Sequence, residues 1–167
     1  FYSDNAKEFK SASRALDKLN PNSIPRRPQS NSRTESRMGR IGDAIRAVLW
    51  VSRLWHMFWT FAGQYVCTMR NLTFTLPDGP NKGKTPYEVF TGDDSANMVL
   101  WDFGAEISFV PPKGSRIHKE QEKYNTRGIP GIFLGYKLQP GGKWAKSYYV
   151  MPLSYFTDPE SKITIIE

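Results

Sequence analysis

Two acidic residues in the first part of the chain have settings that suit metal-dependent chemistry. Asp4 lies in a Ser-Asp-Asn sequence directly after Phe1-Tyr2, where an acidic residue at a strand end can project its carboxylate into a cleft. Glu35 closes the segment Arg-Pro-Gln-Ser-Asn-Ser-Arg-Thr-Glu and falls in the first turn of a predicted helix. Clustered carboxylate oxygens are the ligands that Mg²⁺ takes, and a pair of such ions can activate a water or a 3′-hydroxyl for phosphoryl transfer.

Each carboxylate also has a structural interpretation. Asp4 is suited to cap the helix that we predict after it. Ser32 and Glu35 have the spacing of a capping box, in which the two side chains satisfy free N–H groups at the start of a helix. Glu35 lies near the edge of an apolar helical stripe, so we expect its carboxylate to be partly buried. Taken singly, each pattern leaves chemistry and capping open.

Apolar residues recur at steps of three and four in the first part of the chain and predict three helices. They lie at about 5–19, from residue 32 or 33 onward, and at about 55–70. In the second helix, Arg33, Arg37 and Arg40 fall on a face away from the apolar stripe. The third helix is rich in aromatic residues, Trp59 among them, which we assign to the core. Cys67 in the same helix is expected to be a small buried residue.

The chain beyond residue 72 has a different character. Its Pro and Gly residues at 77–83 predict a flexible connection, and Thr85 with Pro86 suits the start of a short helix that Gly92 ends. From Leu100 onward, short runs of β character then predict strands. They lie at 106–110, 131–136, 147–151 and 163–166, with a turn at 140–142 between the second and the third. Such strands indicate a small barrel or a packed meander.

The positive charge of the chain is concentrated in its first part. The 167 residues carry a formal net charge of +7. Residues 1–70 hold 12 Lys or Arg and five Asp or Glu, whereas residues 71–167 hold 11 of each sign. This excess predicts a polyanion partner for the first part, with an ordinary solvated basic surface as the alternative.

Several other kinds of site are not supported by the composition. One cysteine allows no intrachain disulfide, and one cysteine with two distant histidines does not make a zinc cluster. The most apolar stretch, residues 44–69, is interrupted by Arg46, Arg53 and His56, so we expect no membrane span. These features fit a reducing location, in the nucleus or the cytoplasm.

The order of several short motifs resembles the integrase of copia-type retrotransposons. The segment around Asp4 resembles the one that bears the second catalytic aspartate of that family, and the segment ending at Glu35 is similar to the one that bears its catalytic glutamate. Ala-Ile-Arg-Ala-Val-Leu and the following Phe-Trp pair resemble the helical tail of the core. The later matches lie at 85–88 (Thr-Pro-Tyr-Glu, a linker helix), and at 102–104 (Asp-Phe-Gly) and 131–136 (Gly-Ile-Phe-Leu-Gly-Tyr) in an SH3-like module.

The resemblance implies a fold and a reaction. The fold class is α/β: the C-terminal part of an RNase H-like integrase core over 1–72, mainly its helices, a linker with a short helix over 73–98, and a small all-β SH3-like barrel over 99–167. The reaction is 3′-end processing and strand transfer of element DNA into target DNA. It implies an Asp-Asp-Glu triad, Mg²⁺ or Mn²⁺ in a two-metal site, and a homo-oligomer of the complete protein.

The resemblance also assigns residues. Asp4 and Glu35 become catalytic residues and metal ligands. It makes Asn31 a polar residue of the loop before the catalytic helix, and we count it among the nucleic-acid-binding residues. Charge and location alone add Arg33, Arg37, Arg26, Arg27 and Arg40 as contacts to DNA phosphates.

The chain departs from the family pattern at several places. The first catalytic aspartate and an upstream zinc domain would precede Phe1. The spacing from Asp4 to Glu35 is shorter than in the family, and Ser32 and Ser36 stand where a glycine and a basic residue are expected. We therefore expect this chain alone to be inactive. The alternatives are a non-catalytic nucleic-acid-binding remnant of a decayed element and a protein-interaction module centred on the β-rich part.

Overall fold

The structure is a computed structural model that describes residues 32–94, 98–115, 118, 126–156 and 164–166, with the backbone alone for residue 33 and for 164–166. The chain divides into two compact units, Phe1–Asp43 and Ala44–Glu167. The described elements, in chain order, are helix α1 (Ser32–Ser52), a 3₁₀ helix (His56–Phe58), α2 (Trp59–Thr73), α3 (Pro86–Thr91), β1 (Glu106–Phe109), β2 (Ile129–Leu138), β3 (Trp144–Pro152), a second 3₁₀ helix (Leu153–Phe156) and β4 (Thr164–Ile166). The described residues are therefore mixed α and β, and the helix predicted at 5–19 lies outside them.

The strands form one antiparallel sheet in the order β1-β2-β3-β4. The hairpin of β2 and β3 is the one predicted across residues 140–142, and its register shifts between Phe133 and Gly135 and again between Lys137 and Leu138. Among the described strands, β1 and β4 are the two edges, so this sheet is open. The four predicted strands are confirmed, and closure into an SH3-like barrel stays a prediction.

The core of the second unit lies between α2 and the sheet. Helix α2 contributes buried side chains at helical spacing, and the central strands β2 and β3 supply the opposite side. The fully buried members are Ala62, Phe133, Leu134, Tyr136 and Met151. Burial of each large apolar side chain contributes roughly 1.5–3 kcal/mol, so this layer is the main source of stability. A side-chain hydrogen bond from Gln64 Nε2 to the Tyr136 carbonyl oxygen (3.3 Å) also links α2 to β2.

Helix α3 is fixed by the local signals that predicted it. Thr85 Oγ1 accepts a hydrogen bond from the Glu88 N–H (3.2 Å), and Glu88 Oε2 accepts one from the Thr85 N–H (2.8 Å), which completes a capping box. Gly92 ends the helix at φ 74°, a backbone conformation that favours glycine. The Tyr87 hydroxyl accepts a hydrogen bond from the Trp144 N–H (3.1 Å), which docks the helix on the start of β3.

The loop between α2 and α3 is more regular than the sequence predicted. The Leu76 N–H donates to the Lys84 carbonyl oxygen, and the Gly83 N–H donates to the Leu76 carbonyl oxygen, both at 2.9 Å. Residues 76–84 therefore form a closed turn where the Pro and Gly content predicted a flexible connection. The predicted domain boundaries at 72 and 98 rest on the family resemblance and stay predictions.

Two predictions for α2 are wrong. Cys67 is exposed, and Trp59 is 60% exposed although it was assigned to the core. The helix buries one stripe, which includes Ala62, Tyr65 and Leu72. At 3.6 residues per turn, Trp59 and Cys67 fall outside that stripe. The helix itself is confirmed, and it begins at Trp59 after a 3₁₀ turn.

Candidate functional site

The predicted site residues fall in two parts of the chain. Those outside the described residues are Asp4, Arg26, Arg27 and Asn31. Glu35, Arg37 and Arg40 lie in α1, within the described part of the first unit. Arg33 lies in the same helix, where its backbone alone is described.

Glu35 lies in the first turn of α1 and is exposed, where we expected partial burial. The helix dipole favours a negative charge at this end of a helix. Arg37 and Arg40 are also exposed. With 3.6 residues per turn, positions 33, 37 and 40 share one face, and Glu35 lies roughly opposite to it. The helix therefore presents its basic face and its carboxylate in different directions, and it does not bring Arg37 and Arg40 beside Glu35.

Of the two expected ligands of a divalent cation, Glu35 lies within the described ranges. Glu35 offers a hard oxygen donor that solvent reaches, which is the donor chemistry that Mg²⁺ and Mn²⁺ take. Within the described ranges, no group of three His, Cys, Asp or Glu side chains could hold a metal ion. The second expected ligand, Asp4, lies outside those ranges. The metal site and its ligands stay predictions.

The second unit carries a separate surface with large exposed aromatic side chains. Trp50 is 85% exposed, Trp55 is 67% exposed and Trp59 is 60% exposed. An open depression of about 630 Å³ lies at the end of α1, lined by Arg46, Leu49, Trp50, Arg53, Leu54 and His56. We call this depression the Trp50 cleft. Its lining combines an indole, two guanidinium groups and an imidazole on an aliphatic floor.

The chain around the Trp50 cleft contains no acidic residue over a long stretch. Between Asp43 and Asp78 there is no Asp or Glu, whereas Arg46, Arg53 and Arg70 lie in the same interval. The segment that lines the cleft therefore carries charges of one sign only. Arginine side chains in such a depression attract anions, and the attraction weakens as salt is added.

The end of helix α1 determines which side chains the cleft exposes. Arg53 takes the left-handed conformation at φ 55°, and its N–H donates to the Trp50 carbonyl oxygen (3.2 Å). Ser52 Oγ donates to the Leu49 carbonyl oxygen (3.1 Å), which satisfies another free group of the last turn. The chain then turns into the 3₁₀ helix, whose Phe58 is 2% exposed. Phe58 thus anchors the turn in the core.

A close approach of two backbones fixes this turn against the sheet. A Cβ added at Gly104, where φ is 82°, would lie 2.4 Å from Ser52 Cβ, so glycine is required on steric grounds. The Gly104 N–H donates to the Phe133 carbonyl oxygen (2.8 Å). In α2, Gly63 makes room for Ile45, whose Cδ1 lies 3.3 Å from a Cβ built at that position. The end of α1 beside the cleft therefore packs closely against Gly104 and α2.

The sequence predictions assigned no role to the Trp50 cleft, although two signals for it were present. Helical periodicity places Trp50 outside the apolar stripe formed by Ile45, Val48 and Leu49, which predicts exposure. The interval without acidic residues was visible within the overall basic excess. What the sequence did not reveal is that the turn after Ser52 leaves arginine, histidine and tryptophan side chains around one depression.

One curated relative gives a direct sequence comparison. The chain is 28% identical over 113 residues to the Retrovirus-related Pol polyprotein from transposon TNT 1-94 of Nicotiana tabacum. The match covers 68% of this chain and 8% of the relative, so the chain corresponds to a small part of that polyprotein. The similarity supports a fragment of a retrotransposon polyprotein. No family model matches the chain, and no solved structure matches it significantly.

None of the helices in the described part of the chain combines the length and the apolar character that a membrane span requires. The predicted location in the nucleus or cytoplasm stays a prediction.

Proposed function

We propose that this chain is part of a retrotransposon polyprotein that acts in DNA integration, as the C-terminal part of the integrase catalytic core followed by a β-rich module. The observation that carries the proposal is the similarity to a retrotransposon Pol polyprotein over 68% of the chain. The ordered motifs at Asp4, Glu35 and 85–88 add support from the sequence. The partners on this proposal are the ends of the element DNA, the target DNA and further copies of the complete protein.

In the proposed reaction, Glu35 is one of three carboxylates that hold divalent cations. Mg²⁺ or Mn²⁺ supplies Lewis-acid chemistry at a phosphodiester when it is bound. The position of Glu35 in the first turn of α1 supports this role, since the side chain is exposed and solvent reaches its oxygen donors. Arg37 and Arg40 are exposed on another face of the helix and are suited to DNA phosphates.

The test replaces Glu35 in a complete version of the polyprotein that includes the upstream core. Glu35→Gln removes the negative charge and keeps the shape of the side chain. We expect Mg²⁺-dependent strand transfer to fall by at least about 100-fold, while the affinity for element-end DNA changes little. Strand transfer is measured with labelled element-end oligonucleotides and a target plasmid, and DNA affinity is measured by fluorescence anisotropy.

The matched control is Glu106→Gln, which removes one exposed carboxylate from the edge strand β1. It should leave strand transfer unchanged. Full activity of Glu35→Gln, with a stability loss of about 1 kcal/mol, would assign Glu35 to helix capping and contradict the catalytic role.

The second candidate is a non-catalytic nucleic-acid-binding remnant. The observation that favours it is the Trp50 cleft, which is lined by two arginines. Binding of a polyanion there would need no catalytic carboxylate. A complete wild-type protein that binds DNA and performs no strand transfer with Mg²⁺ or Mn²⁺ would support this candidate over the first.

A further inference from the structure

We propose that the Trp50 cleft binds single-stranded nucleic acid, with a base stacked on the Trp50 indole and phosphates held by Arg46 and Arg53. This site goes beyond the proposed integration chemistry, because it involves neither Glu35 nor a metal ion. It also lies wholly in the second unit, among residues 46–56. The proposal rests on exposure, charge and shape, each of which limits the kind of ligand.

The exposure of Trp50 is the first argument. Its indole is 85% exposed at the end of α1, although this residue has a large apolar surface that folding normally covers. A tryptophan face in solvent provides a stacking platform for any base whose own faces are free. Bases in a duplex are stacked on their neighbours, so this contact selects unpaired nucleotides.

Charge is the second argument, and it selects an anion. Arg46 and Arg53 line the same depression as Trp50, and His56 stands beside them. The interval from Asp43 to Asp78 contains no other carboxylate. Guanidinium groups pair with phosphate oxygens through charge-assisted hydrogen bonds, and an arginine next to an exposed indole suits a ligand that alternates phosphate and base.

Shape is the third argument. The depression of about 630 Å³ falls within the range of roughly 300–1,000 Å³ that is typical of sites for small ligands. It is also open, so a chain can enter and leave along the surface. Leu49 and Leu54 contribute apolar lining to the depression, which a base can contact, and Arg46 and Arg53 line it as well.

A second copy of this chain is a less suitable occupant. In a two-fold interface the same patch meets itself, so Arg53 of each copy would approach the positively charged patch of the other, and residues 44–77 supply no carboxylate. Like charges brought together in an interface cost several kcal/mol in general terms. The negative phosphates of a nucleic acid are instead attracted to the same guanidinium groups.

The experiment measures binding of a fluorescein-labelled oligo(dT) of about 15 nucleotides to the full 167-residue chain by fluorescence anisotropy. Trp50→Ala should weaken binding by roughly 5- to 100-fold, the usual range for loss of one stacking residue, and Trp50→Phe should recover part of the affinity. Arg53→Gln should reduce the slope of log affinity against log salt by about 0.7 for each phosphate that the protein no longer neutralises. Oligo(U) and a DNA duplex of the same length are measured in the same way. Comparison of their affinities with that of oligo(dT) shows whether the protein prefers single-stranded RNA, single-stranded DNA or double-stranded DNA.

Two controls keep this test independent of folding and of general charge. Lys82→Gln removes one exposed positive charge from the loop at 76–84 and should leave the affinity within about twofold, since nonspecific attraction depends weakly on a single distant charge. Circular dichroism of each variant checks that the helices are retained.

Unchanged oligo(dT) affinity in both Trp50→Ala and Arg53→Gln would overturn the proposal. The proposal would also be overturned if the protein bound the duplex as tightly as oligo(dT) and Trp50→Ala did not change the affinity for the duplex. Conversion of a dimer to a monomer by Trp50→Ala, seen by sedimentation without a change in oligonucleotide binding, would identify a second copy as the occupant and refute nucleic acid. None of these outcomes depends on strand transfer, so failure here leaves the integration proposal to its own test.

Discussion

The second unit holds two groups of aromatic residues in contrasting surroundings. In the sheet group, Phe133, Tyr136, Trp144 and Tyr148 contact one another edge-on or tilted, with ring centroids 5.2 to 6.1 Å apart. Their polar tips are also satisfied, as when Trp144 Nε1 donates to the Ser147 carbonyl oxygen (3.0 Å). The other group, Trp50, Trp55 and Trp59, is largely in solvent, and Trp50 lines the same depression as Arg46, Arg53 and His56.

The difference separates the residues that hold the fold from those available for binding. Aromatic side chains packed against neighbours lower the free energy of the folded state, and their removal leaves a cavity. An exposed tryptophan contributes little to folding, and on the proposal above Trp50 is available to stack on a base. Composition treats both groups alike, and only burial distinguishes them.

The largest effect is expected when the two groups are truncated in parallel. Phe133→Ala should lower the free energy of unfolding by about 3–5 kcal/mol, because Phe133 is almost fully buried and its loss leaves a cavity. Trp50→Ala should change it by no more than about 0.5 kcal/mol, as for an exposed position. Urea unfolding followed by circular dichroism measures both. If Trp50→Ala lowered the free energy of unfolding by more than about 2 kcal/mol, the contrast between the two groups would be lost, and Trp50 would be a residue that stabilises the fold.

Gly104 lies between the end of α1, near Trp50, and Phe133 of the sheet group. Its replacement should have the second-largest effect on the free energy of unfolding. Gly104 contacts Ser52 at the end of α1 and donates a hydrogen bond to Phe133 in β2. Gly104→Ala should cost about 2–4 kcal/mol, because a left-handed backbone disfavours alanine and the new methyl group would overlap Ser52 Cβ. The same urea titration measures this cost.

Gly114 offers a matched control for Gly104. It has a similar φ of 86°, and a Cβ built there meets nothing within 4 Å. Gly114→Ala should therefore show the backbone cost alone, about 1–2 kcal/mol. Equal losses in the two variants would contradict the close packing of the 102–104 turn against the end of α1.

The parts of the fold that the sequence predicted well are those governed by local chemistry. Thr85, Pro86 and Gly92 each determine a backbone conformation at their own position, and helix α3 follows from them without reference to the rest of the chain. The strands were predicted from short β-type runs separated by Gly and Pro turns, which are also local signals. The approach of Gly104 to Ser52 joins positions far apart in sequence, so no local pattern signalled it.

The candidate site was predicted less completely, for a related reason. The motif at Glu35 identified a helix start correctly, yet its burial depends on what covers the helix, and the side chain proved to be exposed. Cys67 and Trp59 were assigned to the core by residue type, whereas the stripe that meets the sheet excludes both. Trp50 was predictable from periodicity. Its neighbours in the cleft follow from the turn at Arg53, which is a tertiary feature.

The smallest expected effect concerns the one tyrosine hydroxyl that joins the sheet group to a loop. Tyr136 Oη donates to the Val99 carbonyl oxygen (3.0 Å) and accepts from the Trp101 N–H (2.9 Å). Tyr136→Phe keeps the ring and removes these bonds, so it should cost about 1–2 kcal/mol near pH 8. Trp50→Phe is the matched exposed change and should cost almost nothing.

The same hydroxyl makes the comparison sensitive to pH. Burial raises the pKa of Tyr136 to about 12, against about 10 for an unfolded tyrosine. Between these values the unfolded chain loses the proton first, so the stabilisation from the neutral hydroxyl is complete below about pH 10 and declines as the pH rises towards about 12. Urea midpoints at about pH 8 and pH 11 should therefore differ less in Tyr136→Phe than in the wild type. Burial also raises the pKa of Tyr65 and Tyr148, so a smaller alkaline loss should remain in the variant. An identical pH dependence in the two proteins would show that the Tyr136 hydroxyl is not held neutral, and the sheet group would then owe its stability to ring packing alone.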